Sequence, residues 1–249
     1  MKNNYFKKYS NLTEPNKERE ELDGYPTEYD NLILSYLTLR KAIGYLGISL
    51  PILCLAGSLI NEHRILPSIS HYYHSTMKIF FAGILFLLAI FLWTYEGYDR
   101  FERGICKALS IMALLIVFFP TTNSICTIKQ CYTETDLKSF VLPSIIGQPW
   151  IGALHLFCAL VFFSLLIYLI FFKFLVHERK LSSPDVNAIW IYKVCGWGMI
   201  FSIVGIGICM FFAENSGNWL LPPTFVFETI ALVCFGVSWL TKGETFRQK

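Results

Sequence analysis

Charge is scarce in this chain of 249 residues: Asp, Glu, Lys and Arg make up 16% of it, where a soluble domain carries about a quarter. With 54% of residues hydrophobic and 16% aromatic, that shortage excludes an ordinary water-soluble core and predicts a membrane protein. No clustered Lys/Arg face exists, and the net charge is only +3, so nucleic acid is not expected as a partner. The first 40 residues hold no apolar core followed by small residues, so the first span is expected to act as its own insertion signal. Polar residues near the mid-depth of the apolar runs and an internal repeat are both missing, which ranks a transporter below other functions.

What is present is a series of apolar runs long enough to cross a ~30 Å hydrocarbon core at ~1.5 Å per residue. Residues 1–30 read as a solvated head, rich in charge and poor in large apolar side chains. Leu32 to Arg40 reads as an interfacial approach, with Arg40 and Lys41 at the headgroup level. Six spans follow: Ala42 to Ile60, with Pro51 predicting a kink, Met77 to Tyr95, Ala108 to Pro120, Trp150 to Phe172, Val194 to Phe212 and Phe225 to Leu240. The fold class is therefore an all-α polytopic integral membrane bundle. Its divisions are a polar head at 1–40, a transmembrane domain at 41–241 and a short tail at 242–249.

Cationic loops resist translocation, so Lys and Arg set the orientation. With the N-terminus inside, the inner segments hold Arg40 and Lys41, then Arg100, Arg103 and Lys107, then Lys173, Arg179, Lys180 and Lys193, then Lys242, Arg247 and Lys249. The outer loops hold only Arg64, Lys78, Lys129 and Lys138. Both termini are expected on the cytoplasmic side.

Six of the eight cysteines fall within or beside these spans and read as small apolar packing residues. Cys126 and Cys131 share one polar outer loop, on the oxidising side, and a disulfide between them is expected; a Cys-x4-Cys metal pair has no second pair to complete it. Gly44 and Gly47, Gly152 and Ala159, and Gly198, Ser202 and Gly205 stand at helix-contact spacing, where small residues let backbones approach.

Four of the five histidines, His63, His71, His74 and His155, sort to the outer side. His71 and His74 are three apart in Ser68-Ile-Ser-His-Tyr-Tyr-His-Ser75, which places them on one face if that turn is helical. His155 shares a stripe with Gly152 and Ala159 and should face the bundle, and Glu228 lies in the first turn or so of the last span. Two readings stay open. In one, His71, His74, His155 and Glu228 converge and bind zinc in a pocket with Ser68, Ser70, Tyr72 and Tyr73, for metal-assisted hydrolysis of a lipid. In the other they are ordinary: His71 and His74 lie in a Tyr-rich interfacial belt, His155 hydrogen-bonds a neighbouring helix, and Glu228 complements the positive end of its own helix. At the opposite end, Tyr95 to Arg100 reads as a solvated turn with a snorkelling aromatic belt; the alternatives are that Glu96, Asp99 and Glu102 with Arg100 and Arg103 form a salt-bridged turn or bind a cytoplasmic partner.

Leu39 to Pro51, Ser68 to Ser75 and the Tyr95-Glu-Gly-Tyr-Asp-Arg100 turn resemble a family of uncharacterised bacterial six-span membrane proteins with a Ser-x-Ser-x-Tyr-Tyr-His-Thr outer turn, with Ser75 here in place of Thr. In outline the chain is also similar to six-span proteins of the DRAM and Sfk type. The first resemblance implies a multi-pass protein of the bacterial inner membrane and no particular activity. Alkaline ceramidases and adiponectin receptors share only residue types with it, since their seven-span layout and late His-x-x-x-His are absent. The function ranked first is a non-enzymatic module that binds a lipid, a small ligand or a protein partner at the outer leaflet. A zinc-dependent lipid hydrolase comes second and a transporter third.

Overall fold

The computed structural model describes residues 28–61, 63, 65–121, 149–182, 184–212 and 221–244. Among them every regular element is helical. The chain divides into two compact units, Met1–Tyr36 and Leu37–Lys249. Cys126 and Cys131 lie outside the described residues.

Helix α1 is one continuous helix, Glu28–Asn61, so the interfacial segment and the first span form a single element, with Pro51 inside it. A 3₁₀ turn, Ile69–His74, precedes α2 at Lys78–Thr94. Helix α3 is Arg100–Phe118. Helix α4 begins as Pro149–Tyr168, passes through a π-helical stretch at Leu169–Phe174 and ends as Leu175–Arg179. Helices α5, Val186–Phe212, and α6, Pro223–Lys242, pack along each other.

Four helical segments, Ser35–Asn61, Trp150–Arg179, Val186–Met210 and Pro223–Lys242, are long and apolar enough to cross a membrane. Helix α2 is apolar but spans only 17 residues, about 26 Å at the usual helical rise. Helix α3 was expected to start at Ala108. It starts eight residues earlier because Asp99 accepts a hydrogen bond from the Glu102 N–H at 2.7 Å and caps it, and so it carries Arg100, Glu102, Arg103 and Lys107. The membrane assignment also rests on α5, where Trp190, Val194, Trp197, Phe201, Val204 and Ile208 recur every three to four residues and are each more than half exposed. A continuous apolar stripe of that length is matched by lipid chains and not by water.

The contacts at one end show how the helices alternate. Arg40 of α1 donates to the Lys242 carbonyl of α6 at 3.2 Å. Tyr95 after α2 meets Trp239 of α6 edge to face at 5.0 Å, and Trp239 meets Phe174 of α4 at 5.3 Å. Phe174 in turn lies 5.8 Å from Tyr192 near the start of α5. The starts of α3 and α5 and the ends of α2, α4 and α6 thus share one end of an up-and-down bundle. Between α2 and α3 the reversal needs Gly97, whose φ of +57° lies in the left-handed region that costs a side chain free energy.

The expected small-residue contacts are present at Gly44, Gly47, Gly198 and Gly205. The one between backbones joins α1 to α6: a Cβ at Gly44 would lie 2.7 Å from the Gly236 carbonyl oxygen, and one at Gly236 2.6 Å from that of Gly44. Backbone meets backbone there, so no side chain can yield. Gly83 of α2, by contrast, faces open space. Gly236→Ala is expected to destabilise the protein by about 1–3 kcal/mol, while Gly83→Ala is neutral or stabilising by up to ~1 kcal/mol. Thermal unfolding of both variants in one detergent checks this; equal melting temperatures would show that the α1–α6 contact is loose.

Candidate functional site

At the end of the bundle away from Trp239, the 3₁₀ turn runs Ile69–His74 and buries Ile69, Tyr72 and Tyr73. A 3₁₀ helix has three residues per turn, so His71 and His74 fall on one side of it, as the spacing predicts, although the turn is separate from α2. Ser68, at the N-cap, does not cap it with its side chain. Instead Glu228 reaches across from α6: its carboxylate accepts from the Ile69 N–H and faces that of Ser70. Glu228 therefore completes the turn and not the N-terminus of its own helix, a partnership no local pattern announces.

The histidines have comparable duties. Ser68 Oγ and His71 Nδ1 share a 2.6 Å hydrogen bond. His74 Nε2 donates to the Thr121 carbonyl at 2.8 Å, and His155 Nδ1 donates to the Phe119 carbonyl at 2.7 Å. Phe119 and Thr121 flank Pro120 just past the end of α3, where carbonyls have no helical partner. His155 is 4% exposed and faces the bundle, as its stripe with Gly152 predicts. Tyr72 is fully buried, with its hydroxyl near the Leu66 N–H at 3.5 Å and its ring against Phe225. Ser70 is half-buried.

The sequence-predicted residues are thus gathered in one layer. His71 lies within electrostatic reach of both His74 and His155. Yet among the described residues no three His, Cys, Asp or Glu side chains are grouped so that they could hold a metal ion. The expected zinc ligand set is not assembled, because Glu228 is committed to main-chain N–H groups and two imidazoles to main-chain carbonyls. What those commitments leave is specific. With Nε2 of His74 and Nδ1 of His155 as donors, His74 Nδ1 and His155 Nε2 are lone-pair acceptors, and both are buried with no hydrogen-bond partner, as is the Tyr73 hydroxyl.

The opposite end holds a site that the sequence reading treats as solvated. Arg40, placed there at headgroup level, is 3% exposed, and Lys242, placed in the tail, is 5% exposed at the last position of α6. Glu102 is 2% exposed; it accepts from the Tyr95 hydroxyl at 2.8 Å and the Tyr98 N–H at 3.0 Å. At the rim of this end Arg103 pairs with Glu96 at 2.7 Å and Lys173 with Asp99 at 2.8 Å. Lys173 holds the Asp99 carboxyl below the usual carboxylate range. The local signal for this end was the Asp99-x-x-Glu102 spacing, a capping-box pattern that starts a helix at Arg100.

Burial pushes the His71 imidazole down to about 4, with His74 and His155 adding to the effect, and burial also lowers His74. The unfolded chain binds these protons near 6.5, before the folded protein does, so the stabilisation is complete above about 6.5 and is lost as pH falls toward about 4. For His71 the loss amounts to roughly 3 kcal/mol at most. Thermal unfolding across that window should show a falling melting temperature in the parent and a shallower fall in His71→Gln; parallel profiles would contradict the burial argument. No protein-family model matches the chain, and neither a curated protein nor a solved structure matches it.

Proposed function

We propose that the protein is a six-span, non-enzymatic module of the bacterial inner membrane, with both termini in the cytoplasm, that binds a lipid or other small ligand through hydroxyl or amine donors at its outer leaflet. The observation that carries this is the pair of buried imidazole acceptors, His74 Nδ1 and His155 Nε2. A buried acceptor without a partner costs about 1–3 kcal/mol, and a donor-bearing headgroup recovers that cost. Main-chain bonds lock both tautomers, so the acceptors are preorganised. The orientation is supported by Arg40, Arg103, Lys173 and Lys242, whose contacts bring them to one end of the bundle. The alternative, a zinc-dependent lipid hydrolase, would need a coordinating set that the described residues do not assemble.

Two substitutions separate the main-chain duty from the ligand duty. His74→Gln keeps a donor at the position of Nε2, His155→Asn keeps one at the position of Nδ1, and each removes the free acceptor. Mass spectrometry of lipids that co-purify with the double variant is expected to show at least a tenfold loss of a donor-bearing headgroup class held by the parent, with folding retained. An unchanged lipid complement would refute outer-leaflet binding.

A further inference from the structure

The end of the bundle around Lys242 holds a partly open cavity of about 110 Å³. One wall is the Tyr98 ring stacked on the His177 imidazole at 3.9 Å and 17°. Lys242 and Thr241 line it from α6, and Asp185 and Tyr192 from the start of α5. The Lys242 ammonium lies 4.3 Å from the Tyr98 ring centre and 5.0 Å from that of Phe174. It has no hydrogen-bond or ion-pair partner among the described residues, although the side chain is almost wholly buried. Aromatic faces attract an ammonium but supply no lone pair along its N–H bonds.

On the other side of the cavity, Asp185 Oδ1 accepts from the Asn187 and Ala188 N–H groups at 2.9 and 3.4 Å and so caps α5. Its Oδ2 makes no hydrogen bond among the described residues. The charges around the cavity decide what kind of ligand fits. Lys242 brings a cation to the lining, and Glu178, Asp185 and Glu244 bring carboxylates beside His177. A ligand of one charge alone would meet either Lys242 or Asp185 and leave the other without a partner. A ligand with an anionic and a cationic end can meet both at once. The π-helical stretch supports a built site, because it is the segment of α4 that delivers Phe174 to Lys242, and such stretches recur at functional positions.

We propose that this cavity binds a small zwitterion made of a primary ammonium and an oxyanion, with the oxyanion on Lys242 and the ammonium on Asp185 Oδ2. The volume corresponds to three or four waters at ~30 Å³ each, which suits a group of a handful of heavy atoms. Two sources offer that chemistry: a free amino acid of glycine or β-alanine size, and the phosphoethanolamine headgroup of an inner-leaflet lipid. The site is independent of the outer layer and stands whether or not that layer binds a ligand.

The test is the thermal stability of the full chain in nanodiscs. One arm uses phosphatidylcholine discs with added glycine or β-alanine, and another uses phosphatidylethanolamine discs. Controls add acetate or ethylamine to phosphatidylcholine discs, each half of the zwitterion alone. A saturating zwitterion is expected to raise the melting temperature by about 3–6 °C, and neither half alone should. The arm that responds names the source. Lys242→Met and Asp185→Asn should each abolish the rise. Because Asn caps helices as well as Asp does, Asp185→Asn decides the matter if Lys242→Met fails to fold. No rise in either arm, an equal rise with a half-ligand, or a rise that persists in Asp185→Asn would overturn the proposal.

Discussion

In a bundle bounded by lipid, every main-chain N–H and C=O that leaves a helix must find a partner inside the protein. The polar residues of this chain are arranged around that demand. Glu228 meets the N–H groups at the start of the 3₁₀ turn, while His74 and His155 meet the carbonyls that follow α3 across Pro120. Ser110 donates from α3 to the Ala89 carbonyl of α2 at 2.7 Å, and Glu102 takes the Tyr98 N–H in the reversal between those helices. The bonds from Glu228, His74 and His155 join segments far apart in sequence, so one requirement both permits irregular backbone and ties the bundle around it.

The two ends meet the requirement with different chemistry. At the end that carries the 3₁₀ turn the groups are imidazoles and one carboxylate, and satisfying the backbone leaves buried neutral acceptors. At the other end two cations and two anions are buried among Tyr95, Tyr98, Phe174 and Trp239. There ring faces take the place of water around Arg40 and Lys242. The close approach of α1 to α6 through Gly44 and Gly236 allows Arg40 to reach the Lys242 carbonyl.

Much of the architecture was legible in order along the chain, because apolar run length and helical spacing are local properties. The inward direction of His155 and the pairing of His71 with His74 were legible for the same reason. The fate of Glu228 was not, since its partner Ile69 is 159 residues away in sequence. Arg40 and Lys242 were misplaced because a cation at the end of an apolar run ordinarily snorkels to the headgroups. Here Tyr95 and Tyr98 from the reversal between α2 and α3 and Phe174 from α4 close over them, which the sequence of either helix alone does not record. The start of α3 was legible in Asp99-x-x-Glu102, but the low apolar content of its first two turns hid it.

The sequence by itself determined that the chain is helical and belongs in a membrane, and where its apolar runs begin and end. Those properties follow from composition and period, which each segment carries alone. Only the tertiary structure decided which polar side chains are spent on the backbone and which retain free valence. That depends on atoms brought within about 3 Å of one another from helices far apart in the chain. It turned Glu228, His74 and His155 into a main-chain clamp with two spare acceptors, and it buried both Arg40 and Lys242, the second of them in the wall of a cavity.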